Sequence, residues 1–259
     1  MAIYHLSVKC MGRSRGQSAT AAAAYRAAER IRDERTGELH DYSRKGGVLH
    51  SELVVPAGAP GWARVRERLW NEAEAAETRR NSTVAREFEI ALPSELKPQE
   101  RAQLAVDFAR AIATKHRCAV DVSVHRPGRG GDRRNHHAHL LCTTRRLSLE
   151  GFKEKTRELD DAKSGEVLYW RERWATLTNE RLRERRIEAR VDHRTLDAQG
   201  SIGSPRSIEA RRSPRSCAVG TWRMWINAGR RSESRRSRRA WSARRSAGGP
   251  RGRRRRSAN

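Results

Sequence analysis

Three histidines lie within four positions of this sequence, in the stretch R-N-H-H-A-H-L-L-C-T-T-R at residues 134–145. Because alternate side chains of a β-strand share a face, we expect His137 and His139 to point the same way. His136 is expected to point away from them or to belong to the preceding loop. Neutral imidazoles bind several transition metals. The spacing therefore predicts two metal ligands on one face of a strand.

A third ligand has to come from another part of the chain. His125 follows a predicted strand at residues 118–124, and a hairpin would bring it back beside His137 and His139. Three imidazoles leave coordination positions open on a metal, as catalysis requires. The alternative is that H-x-H is a chance pattern on an exposed strand, because short motifs often match by accident.

Residues 84–92, V-A-R-E-F-E-I-A-L, alternate between apolar and polar side chains. A strand with this pattern points Phe88 and Ile90 to one face and Glu87 and Glu89 to the other. Carboxylates commonly accept the free N–H of a metal-bound imidazole and fix its tautomer. We therefore expect Glu87 and Glu89 to support the histidines.

Tyr25 lies in a predicted helix of alanine and charged residues that begins after Ser18, a good N-cap residue, and runs to Asp33. A single tyrosine on such a helix is usually a core contact. It is also a candidate nucleophile, because its small alanine neighbours leave the hydroxyl unobstructed.

The elements that must position these residues are of mixed type. Further strands are predicted at residues 2–9, 48–55 and 137–144. The spacing of apolar residues predicts further helices at residues 62–80, 98–116 and 166–190. No regular βαβ repeat is present. We therefore predict an α+β fold with a largely antiparallel central sheet flanked by helices.

The charge of the chain favours a polyanionic partner. Its 259 residues carry 56 Lys and Arg against 31 Asp and Glu, a net charge of +25. Residues 201–259 hold 18 arginines and two acidic residues, a net charge of +16, and residues 1–200 carry the other +9. The sequence begins without the basic and apolar blocks of a secretory leader, and no run approaches the ~18 apolar residues of a membrane span. We expect a cytoplasmic protein with reduced thiols.

Several segments, taken together, resemble the MobA/MobL mobilisation relaxases of the wider HUH endonucleases. The similarity runs in one order from Ala2 to about Gly200, and it rests on A-I-Y-H-L-S-V-K, G-Q-S-A-T-A-A-A-A-Y-R, R-E-F-E-I-A-L-P, V-H…N-H-H-A-H-L-L-C-T-T-R and V-D-H-R-T-L-D-A-Q-G. His136 stands where the family often has proline, which is a departure outside the expected metal-facing positions.

This resemblance implies a metal-dependent enzyme that nicks one DNA strand at an origin of transfer and rejoins it during conjugative plasmid mobilisation. Tyr25 matches the nucleophile that forms a 5′-phosphotyrosyl intermediate, and His125, His137 and His139 match the triad for Mn²⁺ or Mg²⁺. The implied partners are single-stranded or supercoiled DNA at the origin, relaxosome accessory proteins and a type IV secretion coupling protein. The bacterial enzyme would enter the recipient cell with its DNA.

Arginines in two glycine-bearing loops are candidates for DNA phosphate contacts; they are Arg13, Arg15, Arg126, Arg129, Arg133 and Arg134. The alternative is that they are solvated loop charges. Two other functions stay open for the whole chain. One is another HUH endonuclease, a replication initiator or transposase, and the other is a noncatalytic basic DNA-binding protein.

The predicted domains are a relaxase domain at residues 1–200 and a disordered, low-complexity tail at residues 201–259. A suitable choice of codons for the start of this tail, read in another frame, encodes R-E-P-S-I-H-R-G-P-A-V-A, which resembles the segment that follows in the family. We therefore hypothesise that the tail is frameshifted. The alternative is an arm that binds DNA without sequence preference.

Overall fold

A five-stranded antiparallel sheet lies at the centre of residues 4–194, which the computed structural model describes apart from residues 129 and 131. Its strands, in spatial order, are β1 (Leu6–Gly12), β5 (Thr83–Leu92), β7 (His136–Thr143), β6 (Val120–His125) and β4 (Val48–Val54). Two hairpins accompany the sheet, one of β2 (Arg30–Arg32) with β3 (Leu39–Asp41) and one of β8 (Arg145–Ser148) with β9 (Gly151–Lys155). The predicted α+β class with an antiparallel sheet is confirmed.

Within the described residues, four α-helices cover the two faces of the sheet, and they are α1 (Ala19–Ala27), α2 (Arg66–Ala75), α3 (Pro98–His116) and α4 (Glu166–Glu184). On one face, Phe88 of β5 packs in a single cluster with Phe108 of α3 and Trp170 of α4. On the other face, Ala85 of the same strand lies in a cluster with Trp70 of α2 and the alanines of α1. Glu87 points to this second face, because its carboxylate bonds to Arg26 of α1.

Three predicted helices are shorter in the structure. α1 ends at Ala27 because Ala28 adopts the left-handed conformation (φ 57°), and the β2–β3 hairpin follows. Within β2, buried Ile31 lies between exposed Arg30 and Arg32, an alternation typical of a strand. The region predicted as a helix at residues 62–80 contains α2 and, before it, a short 3₁₀ helix at Gly61–Arg64.

The helix predicted at residues 166–190 ends at Glu184 as α4, whereas α3 has its predicted bounds. The predicted tail at residues 201–259 lies outside the described residues. Among the residues that the structure describes, no helix is both long and apolar enough to cross a membrane.

Candidate active site

Three imidazoles meet where β6 ends and β7 begins. The antiparallel pairing sets His125 opposite His137 and Ser123 opposite His139, so the hairpin brings the predicted third histidine beside the pair. The ring centroids lie 4.9 to 5.5 Å apart, and one nitrogen from each ring lies within 4.8 Å of the others. Within residues 4–194 as described, this is the one group of three or more His, Cys, Asp or Glu side chains that could hold a metal ion, and His136 is not part of it.

Two of these imidazoles contact an oxygen acceptor through Nδ1. His139 Nδ1 lies 2.7 Å from Oε1 of Glu87, and His137 Nδ1 lies 3.0 Å from the carbonyl oxygen of Asn135. A neutral imidazole carries one N–H donor and one nitrogen lone pair. Donation from Nδ1 therefore leaves Nε2 of both rings as the nitrogen that can bind a metal.

The third imidazole contacts the helix that carries Tyr25. Nε2 of His125 lies 2.8 Å from the carbonyl oxygen of Arg26, so donation there leaves Nδ1 with the lone pair. Burial lowers the pKa of His125 to about 3, and burial also lowers the pKa of His137. These two rings are thus held in the neutral form that metal binding requires. A set of three neutral imidazoles fits a divalent transition ion better than Mg²⁺, which prefers an all-oxygen shell.

Glu87 occupies the position that the sequence predicted, beside an imidazole. Its side chain is buried, and Oε1 also accepts a hydrogen bond of 2.6 Å from Nε of Arg26. Burial alone would raise the pKa of Glu87, but the charge of Arg26 and the hydrogen bond from His139 hold it well below its usual range. Glu89, the other predicted glutamate, lies opposite His139 on β7, forms an ion pair with Lys9 of β1 and has a side chain that is 27% exposed. The buried charge beside the triad is therefore that of Glu87.

Tyr25 lies in the last turn of α1. Ser18 caps the start of this helix, because its Oγ accepts a hydrogen bond of 3.2 Å from the backbone N–H of Ala21. The ring of Tyr25 meets that of Tyr42 edge to face at a centroid distance of 5.2 Å, and it is not part of the buried core. Burial raises the pKa of the Tyr25 phenol, and the charge of Arg26 opposes this rise. The phenol is therefore protonated in the resting protein.

Arg26 joins the tyrosine helix to the triad by two routes. Its guanidinium reaches His139 through Glu87, and its carbonyl oxygen accepts from His125. The side chain is 3% exposed. The residue after Tyr25 thus contacts Glu87, the hydrogen-bond partner of His139, and also contacts His125 directly. These contacts fix the end of α1 beside the three imidazoles.

Comparison with known proteins shows to which family the chain belongs. The family model for MobA/MobL matches residues 17–211. This chain belongs to the MobA/MobL family. Its relatives include the mobilization protein MobL of Acidithiobacillus ferridurans, 41% identical over 233 residues that cover 79% of this chain and 61% of that protein. Mobilization protein A of Escherichia coli is 35% identical over 217 residues, which cover 77% of this chain and 28% of that protein.

A solved structure from work on the molecular basis of vancomycin resistance transfer in Staphylococcus aureus has a similar fold. It superposes with a TM-score of 0.68 at 34% identity, covering 75% of this MobA/MobL chain and all of that chain. By contrast, this chain spans only 61% of the length of the Acidithiobacillus ferridurans protein and 28% of the length of the Escherichia coli protein.

The six loop arginines of this MobA/MobL chain have different environments. Arg13 is committed to contacts within the protein, since its Nε bonds to Glu74 at 2.9 Å and its side chain is only 12% exposed. Arg15 is exposed and donates to the carbonyl oxygen of Cys10. Arg126 and Arg133 are exposed, Arg134 is exposed and paired with Asp132, and Arg129 lies outside the described residues.

Sequence reasoning missed two residues of this MobA/MobL site, Arg26 and Lys45. Lys45 donates a hydrogen bond of 2.7 Å to the carbonyl oxygen of Tyr25. The only sequence signal for Arg26 is its place directly after the candidate nucleophile. Lys45 comes from a loop twenty residues farther along the chain, and no local pattern marks it.

Proposed function

We propose that this MobA/MobL protein is a DNA relaxase, which cuts one strand at an origin of transfer and later rejoins it. The observation that carries the proposal is the double contact of Arg26, which ties the tyrosine helix to a cluster of three imidazoles. The candidate nucleophile and the candidate metal site, which lie on separate elements, are thereby joined through the residue that follows Tyr25. Membership of the MobA/MobL family supports the same function.

The metal would be held by His125, His137 and His139, with Mn²⁺ the better fit of the two predicted ions. When bound, a divalent cation polarises the scissile phosphate and neutralises the charge that develops on its oxygens. Glu87 keeps the Nδ1 proton of His139 in place. It thereby directs Nε2 of that ring toward the site.

Tyr25 would perform the covalent step. Its phenol oxygen bonds to the phosphorus while the bond from phosphorus to the 3′ oxygen breaks, giving a free 3′-OH and a 5′-phosphotyrosyl enzyme. The phenol proton is released, and the departing 3′ oxygen takes up a proton. Because one phosphodiester replaces another, the energy of the broken bond is conserved. Attack by a 3′-OH can therefore reverse the step and rejoin the strand.

The proposed substrate is single-stranded or supercoiled DNA at the origin. Arg15, Arg126, Arg133 and Arg134 are exposed in the described structure, and they are proposed to contact DNA phosphates. Accessory proteins at the origin and a type IV secretion coupling protein are the proposed protein partners. The proposed location is the bacterial cytoplasm, followed by transfer with the DNA.

The decisive experiment follows the covalent adduct. Purified protein is incubated with Mn²⁺ and a supercoiled plasmid that carries its origin of transfer, and nicking and protein-linked DNA are measured on denaturing gels. We expect Tyr25→Phe to abolish the adduct while the variant still binds DNA. Tyr42→Phe is the matched control, because Tyr42 packs against the same ring and should retain the adduct.

Persistence of the adduct in Tyr25→Phe, or its loss only in Tyr42→Phe, would contradict the assignment of the nucleophile. DNA binding without nicking by the unaltered protein would favour a noncatalytic DNA-binding function. Chelation of the metal is expected to stop nicking, and addition of excess Mn²⁺ is expected to restore it.

A further inference from the structure

Lys45 contacts Tyr25 at two points. Its Nζ donates to the carbonyl oxygen of Tyr25 at 2.7 Å, and the same atom lies 3.6 Å from the centroid of the phenol ring. A cation over an aromatic face is attracted by the electrons of the ring. Because one nitrogen contacts both the main chain and the ring of the same residue, it restricts how the ring can turn relative to α1.

The ring of Tyr25 thus has a cation on its face and the edge-to-face contact of Tyr42 beside it. The half-buried Lys45 lies in the connection between β3 and β4, so it reaches the nucleophile from a different segment of the chain. Neither contact uses the phenol hydroxyl. Both contacts are made with the ring, so the arrangement restrains the orientation of the ring itself.

We propose that Lys45 is a positioning residue for Tyr25, which orients the phenol ring and stabilises the negative charge that develops on it as the hydroxyl ionises. The inference rests on the proposed role of Tyr25 as nucleophile. Lys45 keeps its own proton throughout, and the phenol proton leaves to solvent. A phenolate is more electron-rich than a phenol, so the attraction to the ammonium grows as the attacking oxygen loses its proton.

The charges around Lys45 make its own protonation sensitive to pH. Burial, followed by repulsion from the charge of Arg26, lowers the pKa of Lys45 to about 8. The other titratable groups near it are Tyr25, whose ring it covers, and His125 and His137 of β6 and β7, whose pKa values its charge helps to lower. Lys45 therefore loses its charge in mildly alkaline solution, and Arg at this position would not.

The test compares Lys45→Met and Lys45→Arg with a matched control, Lys115→Met. Lys115 lies 3.6 Å from the ring centroid of Tyr169 on the opposite face of the sheet, so the control removes the same kind of contact away from the site. The rate of adduct formation is measured in a single turnover, with saturating single-stranded DNA that carries the cleavage site and with Mn²⁺.

We expect Lys45→Met to slow adduct formation on the order of tenfold, the factor that corresponds to one unit in the phenol pKa. Lys45→Arg should restore most of the rate, and Lys115→Met should leave it unchanged. The rate of the unaltered protein should rise with pH as the phenol ionises, but less steeply above about pH 8, where Lys45 loses its proton. In Lys45→Arg this flattening should disappear. A rate in Lys45→Met equal to that of Lys115→Met would overturn the proposal.

A result in which Lys45→Arg is as slow as Lys45→Met would also overturn it, because a positive charge at this position would then not be sufficient for the effect. A second readout does not depend on nicking. With 3-fluorotyrosine at position 25, the ¹⁹F resonance of the metal-free protein should shift in Lys45→Met and return toward its original position in Lys45→Arg. An unchanged resonance would exclude the contact even if Tyr25 proved not to be the nucleophile.

Discussion

At the scale of single residues, the site depends on one buried negative charge. Oε1 of Glu87 is shared by Arg26 at 2.6 Å and His139 at 2.7 Å. The carboxylate thereby compensates a buried guanidinium and also makes His139 a better electron donor. The next glutamate on the same strand face, Glu89, is paired with exposed Lys9 instead.

Glu87→Gln is expected to weaken Mn²⁺ binding by about 10- to 100-fold, the usual effect of losing such a partner of a ligating histidine. The amide keeps the shape of the side chain but removes its charge. Isothermal titration of the metal-free protein measures the affinity directly. Glu89→Gln is the matched control and should change the affinity much less; equal losses in the two variants would contradict the special role of Glu87.

The sequence predicted the residues of the triad better than the residues around them. The alternation of a strand orients His137 and His139, and a hairpin returns His125 to them, so short-range rules were sufficient. The geometry of the three histidines agrees with that expectation, although their metal-binding role stays a prediction. Arg26 and Lys45 act through contacts between distant segments, which have no period in the sequence.

At the scale of elements, α1 carries the candidate nucleophile and is anchored from α2. Glu74 of α2 accepts from the backbone N–H of Ala19 at 2.7 Å and pairs with Arg13 at 2.7 Å. The Glu74 side chain is 1% exposed. The first turn of the helix and the loop before it are therefore both fixed by one buried carboxylate.

Arg13→Ala is expected to lower the free energy of unfolding by about 3 kcal/mol, because it leaves a buried carboxylate without its main partner. Arg35→Ala is the control. Arg35 also approaches Glu74, at 3.7 Å, but its side chain is 45% exposed, so its loss should cost less than about 1 kcal/mol. Urea denaturation of both variants measures the difference, and coincident midpoints would show that Glu74 does not depend on Arg13.

The elements themselves were predicted unevenly. The bounds of α3 followed from Pro98 at its start and from its regular apolar spacing. The end of α1 did not, because Ala, Arg and Glu favour a helix wherever they occur. Here tertiary packing overrides that preference: Ile31 is fully buried in the cluster with α1 and α2, and this requires a strand rather than another helical turn.

At the scale of the whole molecule, charge is concentrated at one end of the sequence. The division at residue 200 stays a prediction, and the family match continues to residue 211, within the predicted tail. Sequencing of the gene tests the frameshift hypothesis. A DNA sequence that cannot encode the family segment in another reading frame would rule out the frameshift hypothesis.

Removal of residues 201–259 is expected to weaken binding to DNA that lacks an origin, since the net charge falls from +25 to +9. The dependence of log K on log salt should also become shallower, because fewer counterions are released. Fluorescence anisotropy across a salt series measures both quantities. Identical slopes for the full and shortened chains would show that the tail arginines do not contact DNA.

The pairing of β6 with β7 also allows the metal-site geometry and the connecting loop to evolve independently. The spacing of the three histidines is set by strand register, whereas the connecting segment at residues 127–134 lies beyond the paired residues. Asp132 and Arg134 accept backbone hydrogen bonds from Asn135 and His136, so it is sequence drift before Asp132 that can proceed without disturbing the imidazoles. A lineage could acquire a new loop, and with it a new surface beside the candidate metal site, while inheriting its chemistry unchanged.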